Sequence, residues 1–140
     1  MFLFARVPDC AGFAVLALRG ELDFTDTQVL SSWLADIVSR EPWVIVDLAG
    51  LDFIDCSSCR ALAGARDLAR RAGGDVLLAR PHGAVARVLL LTGWAGEFSV
   101  FPAVELAAFS AGLSALGGRL AAASARESAA AAEQGYVGAA

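Results

Sequence analysis

The chain alternates between short, continuously apolar runs and longer segments whose apolar residues recur at helical spacing. A short continuous run is typical of a strand covered on both faces, whereas a helical period indicates a helix with one buried side. The runs predict strands over residues 2–6, 13–19, 43–47, 75–79 and 98–101. The periodic segments predict helices over residues 26–41, 57–72, 83–92 and 103–116.

This order of elements predicts an opening hairpin followed by strands that alternate with helices. Alternation requires crossover connections, so the sequence predicts an α/β domain with a mixed, mostly parallel central sheet flanked by helices. Thr25, with Gln28 three residues later, predicts a capping box at the start of the first helix. The domain is expected to span residues 1–116, and the Ala-rich segment 117–140 is expected to be a frayed or disordered tail.

Composition narrows the class of protein. Hydrophobic residues make up 57% of the 140 residues, which excludes a disordered chain, and a net charge of −4 without a basic patch argues against nucleic acid as a direct ligand. The charge-free stretch between Glu105 and Arg119 is too short to span a membrane. Three cysteines make no disulfide framework. We therefore expect a cytoplasmic protein. All of its Lys and Arg positions are Arg, and the chain is rich in Ala and Gly, which is typical of a bacterium with a GC-rich genome.

The richest chemistry lies where the strand at 43–47 is followed by the helix at 57–72. An acid, a thiol, two hydroxyls and a second thiol occur together at Asp55, Cys56, Ser57, Ser58 and Cys59. The first N–H groups of a helix lack intrahelical partners, so Asp55 is expected to cap the helix and the position suits an anion or a hydroxyl presented to a kinase. Because Asp23 also follows a strand, it is expected to meet Asp55 at one edge of the sheet.

The two cysteines of this segment also permit a thiol redox function. A Cys-x-x-Cys pair at a helix start would have its first thiolate stabilised by the helix dipole. Asp55 opposes that ionisation, and Cys59 falls on the apolar stripe of the helix, which favours a buried, unreactive thiol. Two cysteines and His82 are too few for a structural zinc site, so neither a metal nor a cofactor is expected. Asp47 and Asp52 are interpreted as a strand-end and a loop charge.

Several segments resemble a known family, in its order and spacing. They are residues 18–23 (Leu-Arg-Gly-Glu-Leu-Asp), 44–51, 53–55 (Phe-Ile-Asp), 73–78 and 88–94. The chain resembles the STAS domain, in particular the stand-alone bacterial anti-sigma factor antagonists, over about residues 1–115. The resemblance implies a regulatory protein that is not an enzyme and that acts on transcription by partner switching.

The resemblance also implies partners and contact residues. Such proteins bind an anti-sigma factor, usually a serine kinase of the histidine-kinase-like ATPase type, and phosphorylation of a loop serine abolishes binding until a serine phosphatase restores it. The implied contact surface comprises the 20–25 loop and the start of the second helix. Its candidate residues are Asp23, Asp55, Cys56, Ser57, Ser58, Arg60 and Asp67.

This chain departs from the family at the phosphorylated position. The residue directly after the loop aspartate is Cys56, with Ser57 next and Ser58 where the family has glycine. Three readings stay open: Ser57 accepts the phosphate one position later, the protein binds permanently, or it serves as a scaffold or ligand-sensing module. A thiol redox protein using Cys56 and Cys59 is the remaining alternative.

Overall fold

A five-stranded sheet forms the centre of the protein in a computed structural model that describes residues 2–7 and 13–133. The strands are β1 (Phe2–Val7), β2 (Ala14–Leu22), β3 (Trp43–Ile54), β4 (Asp75–Ala79) and β5 (Val100–Phe101). The helices are α1 (Thr27–Arg40), α2 (Cys56–Arg71), α3 (Gly83–Leu91), α4 (Trp94–Glu97) and α5 (Val104–Glu133). The turn predicted at residues 9–12 and the last part of the predicted tail, residues 134–140, lie outside the described residues.

The strand order follows the chain, β1-β2-β3-β4-β5. β1 pairs antiparallel with β2, which confirms the opening hairpin, and β2 to β5 pair in parallel. Each parallel connection carries at least one helix, as crossover connections require. The predicted α/β fold with a mostly parallel sheet is therefore confirmed.

Alternate side chains of the central strands point to opposite faces of the sheet and build two apolar layers. Leu16, Val46 and Leu78 belong to the larger layer, which includes buried residues of α1, α2 and α3. Val15, Ile45 and Leu77 belong to the smaller layer, which α5 covers with Ala107, Ala108 and Ala111. Burial on both faces explains why these strands appear in the sequence as continuous apolar runs.

Strand β3 is longer than the predicted strand at residues 43–47, so the predicted positions of Asp47 and Asp52 were wrong. Asp47 and Asp52 lie inside β3, not at a strand end or in a loop, because β2 and β3 stay paired from Ala14↔Val44 to Leu22↔Ile54. Asp47 is buried and forms an ion pair of 2.5 Å with Arg80, directly after β4.

The first helix begins later than its sequence signal. Thr25 is not the N-cap; the helix starts at Thr27, and Asp26 occupies the capping position. The Thr25 amide and hydroxyl both donate to the carboxylate of Asp23 instead. This local turn competes with the capping box, as short polar side chains often do.

A short helix, α4, was missed by the sequence analysis. Arg66 on α2 is buried, and its guanidinium donates to the carbonyl of Glu97 and lies 5.0 Å from the ring centre of Phe98. Arg66 thus anchors α4 to α2, a role for which the sequence analysis made no prediction. A buried arginine of this kind gives no periodic signal in the sequence.

The last helix extends well past its predicted end near Leu116. α5 continues to Glu133, since alanine is the best helix former and offsets the cost of Gly117 and Gly118. Its segment Val104–Ala129 is long and apolar enough to cross a membrane by length and composition alone. The first turns of that segment, however, form the smaller core layer of the domain.

The two-layer packing predicts unequal costs for two leucines on the same helix. Leu62 is fully buried in α2, whereas Leu68 is 43% exposed. We expect Leu62→Ala to lower the free energy of unfolding by about 2–5 kcal/mol, because it leaves a cavity. Leu68→Ala should cost clearly less. Urea titration followed by circular dichroism measures both, and equal losses would contradict this packing.

Candidate functional site

The carboxyl ends of β2 and β3 bring two loops into contact. Leu22 pairs with Ile54 at the end of the two strands, and the amide of Asp55 donates to the carbonyl of Leu22 at 3.2 Å. The loop after β2 and the start of α2 therefore lie side by side. The sequence analysis predicted that Asp23 and Asp55 meet at one edge of the sheet. The backbone contact between their two loops confirms this prediction.

Asp55 is the N-cap of α2, as the sequence predicted. Its Oδ1 accepts hydrogen bonds from the Ser58 amide at 2.9 Å and from the Ser57 hydroxyl at 2.8 Å. Partial burial alone would raise the pKa of Asp55, but the Ser58 amide and the hydroxyls of Ser58 and Ser57 outweigh it and hold the pKa below its ordinary value of 3.8. The carboxylate is thus charged and fixed at neutral pH.

Asp23 organises the neighbouring loop. Its carboxylate accepts the hydroxyl and the amide of Thr25, which lower the pKa of Asp23. Its carbonyl accepts the Ser58 hydroxyl at 3.3 Å, which ties the first loop to α2. Asp23 and Asp55 therefore belong to one hydrogen-bonded unit in which Ser58 is the link.

The polar side chains of this unit do not all face solvent. Ser58 is buried, and Ser57 is half-buried, with its hydroxyl donating to Asp55 and accepting from Thr27 at 3.4 Å. Cys56 is exposed. The thiol, and not either hydroxyl, is thus the group of residues 56–58 that a partner would meet first.

The remaining predicted contact residues continue the same surface. Arg60 and Asp67 are exposed on α2. Their positions, four and eleven residues after Cys56, place all three on one face of the helix. The structure therefore places Cys56, Arg60 and Asp67 on a single stripe that begins at the capped end of α2.

Two exposed aromatic residues beside this unit were not named as candidate site residues, although Phe24 falls within the predicted 20–25 contact loop. Phe24, in the turn directly after Asp23, is 74% exposed, and Phe53 is exposed on β3, since strand alternation turns it away from the buried Ile54. A phenylalanine between an aspartate and a threonine in a polar turn is the sequence signal that points to Phe24. Exposed aromatic side chains of this kind are typical anchors of protein interfaces.

The second cysteine is part of the core. Cys59 is fully buried, and burial, followed by the neighbouring Cys56 and Asp55, raises the pKa of its thiol to about 12. A thiol with this pKa is protonated at neutral pH and is a poor partner for dithiol exchange.

His82 contacts the carbonyl of Ala49 at 2.7 Å. Within residues 2–7 and 13–133, no three His, Cys, Asp or Glu side chains are grouped to hold a metal ion.

Comparison with known proteins identifies the family. The model of the STAS domain matches residues 5–107, most of the chain. The chain belongs to the STAS domain family. It is 33% identical over 97 residues to the anti-sigma-F factor antagonist RsfA of Mycobacterium tuberculosis, a match that covers 66% of this chain and 75% of the relative.

Solved structures of the family share the fold. An anti-sigma factor antagonist from Mycobacterium paratuberculosis superposes with a TM-score of 0.66 at 23% identity, covering 79% of this chain and 94% of that one. The antagonist SpoIIAA in its unphosphorylated form gives 0.64 at 20% identity, covering 75% and 92%. The murine anion transporter Slc26a9 gives 0.61 at 20% identity, over 77% of this chain but 19% of its own. The STAS fold thus occurs both alone and within larger proteins.

The capping role of Asp55 predicts a pH-dependent loss of stability in Asp55→Ala. At pH 7 we expect the substitution to cost about 0.5–2 kcal/mol of unfolding free energy, because the Ser58 amide loses its acceptor. Since the folded-state pKa of Asp55 is lowered, its contribution is present above the ordinary value of 3.8 and is lost as the pH falls through the folded pKa. The difference from wild type should therefore shrink in acid.

Urea titrations at pH 7 and in steps towards pH 2.5 would measure this dependence. Asp67→Ala is the matched control, because Asp67 is an exposed carboxylate on the same helix. A cost that stays constant across the pH range would contradict an ionised Asp55 cap.

Proposed function

We propose that this chain is an anti-sigma factor antagonist that binds its partner through the surface formed by the two joined loops and the start of α2. This antagonist surface consists of the residues predicted from the sequence together with Phe24: Asp23, Phe24, Asp55, Cys56, Ser57, Ser58, Arg60 and Asp67. The observation that carries the proposal is the hydrogen-bonded unit of Asp23, Asp55 and Ser58. The relative RsfA, an anti-sigma-F factor antagonist, supports the class of partner.

The antagonist surface has the properties that a protein interface needs. Its two loops are held by hydrogen bonds before any partner arrives, so little conformational freedom is lost on binding. Phe24 offers an apolar anchor, and Arg60 offers a charged fork beside the fixed carboxylates. We propose an anti-sigma factor of the histidine-kinase-like ATPase type as the partner, in the cytoplasm.

We further propose that phosphorylation does not switch off binding in this protein, in contrast to the regulation that the family resemblance implies. Cys56 stands exposed at the usual serine position and has no hydroxyl to accept a phosphate. Ser57 is held inward by Asp55 and Thr27, so a kinase would have to break both hydrogen bonds. A phosphate there would also place about two negative charges against the Asp55 carboxylate. A serine phosphatase then has no substrate at this loop.

The burial of Cys59 weighs against the thiol redox alternative. Dithiol exchange between Cys56 and Cys59 requires that the second thiol is accessible and partly ionised. The raised pKa of Cys59 keeps this thiol protonated. Cys59 instead fills space between α2 and the sheet, like a small apolar residue.

The binding proposal predicts a large effect for one aromatic residue and none for another. We expect Phe24→Ala to weaken binding to the anti-sigma factor by about 2 kcal/mol or more, since it removes a central apolar anchor. Phe109→Ala is the matched control, because Phe109 is also exposed but lies on α5, on the other side of the sheet.

Isothermal titration of each variant against the purified histidine-kinase-like ATPases of the host, tested one at a time, measures these affinities. Arg60→Ala should weaken the same complex, whereas Arg71→Ala, at the far end of α2, should not. Equal affinities for Phe24→Ala and wild type with the cognate ATPase would overturn the assignment of this surface.

The permanent-binding proposal predicts a gain of phosphorylation on Cys56→Ser. With the ATPase that binds the wild type and with ATP, we expect no phosphate on the wild type. Cys56→Ser should accept phosphate at residue 56, because it restores an exposed hydroxyl. Intact-mass and peptide mass spectrometry read out both proteins. Phosphate on the wild-type chain that disappears in Ser57→Ala would show instead that Ser57 is the acceptor.

A further inference from the structure

Helix α5 exposes an apolar stripe on the side that faces away from the sheet. Ala107, Ala108 and Ala111 occupy the sheet side of the helix and are buried. The opposite side carries five large apolar residues that are 51–69% exposed. They are Leu106, Phe109, Leu113, Leu116 and Leu120. We call these residues the α5 stripe.

The spacing of the α5 stripe is that of a coiled-coil seam. Successive members are three, four, three and four residues apart, and Ala123 continues the series three residues later. A 3-4 alternation repeats every seven residues and keeps apolar side chains facing one partner helix. A helix that only covers a sheet does not need a second stripe, and α5 already has its sheet contact through the alanines.

Charges beside the α5 stripe specify the direction of a partner helix. The seven-residue pattern that contains Leu106 continues to position 127. The residues directly before these two positions are Glu105 and Arg126, which are charged and flank the stripe. If a second α5 runs antiparallel, Leu106 lies opposite Ala123 of the second copy, and the flanking Glu105 lies beside Arg126 of that copy. By two-fold symmetry the same ion pair forms twice. A parallel arrangement would place Glu105 opposite Ser110 of the second copy and would gain no ion pair.

The same antiparallel register covers the large side chains of the α5 stripe. Phe109 would lie opposite Leu120 of the second copy, and Leu113 opposite Leu116, so every member of the stripe is covered. An open groove of about 600 Å³ runs beside the stripe and is lined by Phe13, Ala108 and Gly112 among others. A Cβ built on Gly112 would contact nothing within 4 Å, so the groove has room for side chains of another helix.

We propose that the α5 stripe is the seam of a symmetric antiparallel dimer, in which α5 of a second copy packs along α5 of the first. The occupant is a second copy of this chain because the stripe and its flanking charges are self-complementary. Pairing also gives the segment 117–129, which is largely exposed, an apolar contact.

Charge argues against a membrane surface as the occupant. Helices that lie on membranes carry many Lys and Arg residues on the polar face. Between Val104 and Glu133, α5 has two arginines against three glutamates, and the whole chain has a net charge of −4. Anionic lipid would repel rather than attract this helix.

The dimer is independent of the proposed function. α1 and α2 pack on the face of the sheet opposite to α5. The antagonist surface therefore stays open in the dimer, and each dimer would present two such surfaces.

Sedimentation equilibrium of the full chain tests the dimer directly. We expect the wild type to have twice the 14.5 kDa mass of one chain at tens of micromolar. Leu120→Glu should raise the dissociation constant at least tenfold, because it places a charge in the seam. Ala121→Glu is the matched control: it adds the same charge one residue away, outside the stripe, and should leave the dimer intact.

A charge exchange tests the antiparallel register. Glu105→Arg and Arg126→Glu should each weaken the dimer, and the double variant should restore it, because both ion pairs re-form with reversed sign. Circular dichroism and binding to the anti-sigma factor, which every variant should retain, show that each protein is folded and separate this proposal from the function.

Three results would overturn the proposal. The first is a wild-type chain that stays monomeric at several hundred micromolar, and the second is a dimer that Leu120→Glu leaves unchanged. The third is a monomeric wild type that cosediments with phosphatidylglycerol vesicles and loses this with Leu120→Glu, which would assign the stripe to lipid. Failure of the double variant to restore the dimer would overturn the antiparallel register.

Discussion

The parallel pairing of β2 with β3 is the constraint on which the functional geometry depends. The two strands stay in contact from Ala14↔Val44 to Leu22↔Ile54, so they end together. The amide of Asp55 then bonds to Leu22, and the Ser58 hydroxyl bonds to the carbonyl of Asp23. Without a shared end for these strands, the two aspartates would lie in separate loops. With it, they form one rigid unit at the carboxyl edge of the sheet, where open α/β folds place their sites.

The capped start of α2 fixes the geometry of the loop without using the side chain of residue 56. Asp55 and Ser58 satisfy the backbone of the helix start, and any small residue at position 56 is compatible with that arrangement. Under the proposed function, Cys56 therefore keeps the fold and the antagonist surface without a hydroxyl at that position to accept a phosphate.

The two faces of the sheet differ in how completely they are covered. Among the described residues, α1, α2 and α3 cover one face with α4 packed against them, whereas α5 covers the other face and does so with alanines. Small residues let α5 approach the sheet closely, so its large side chains fall on the outer surface. The same helix thus closes the core and carries an unburied apolar stripe, which is a feature that a partner helix would satisfy.

Local patterns in the sequence determined the strands, the helices other than α4, the mostly parallel sheet and the cap at Asp55, because apolar period and capping chemistry are local properties. The candidate residues of the loop site and the departure at Cys56 came from the sequence together with its resemblance to the STAS family. Tertiary structure decided the rest. The length of β3, which moves Asp47 and Asp52 into the strand, depends on pairing with β2, a contact between distant residues.

The roles of several individual residues likewise depended on distant partners. Thr25 carries a good capping signal, but the neighbouring Asp23 competes for it. Arg66 is covered by Glu97 and Phe98, and Ser57 is held inward by Thr27 as well as by its neighbour Asp55. The sequence by itself determined which elements form, with the exception of α4, since each of the others follows from its own residues. Only the tertiary structure decided which side chains are buried, paired or exposed, since these properties depend on residues far apart in the chain.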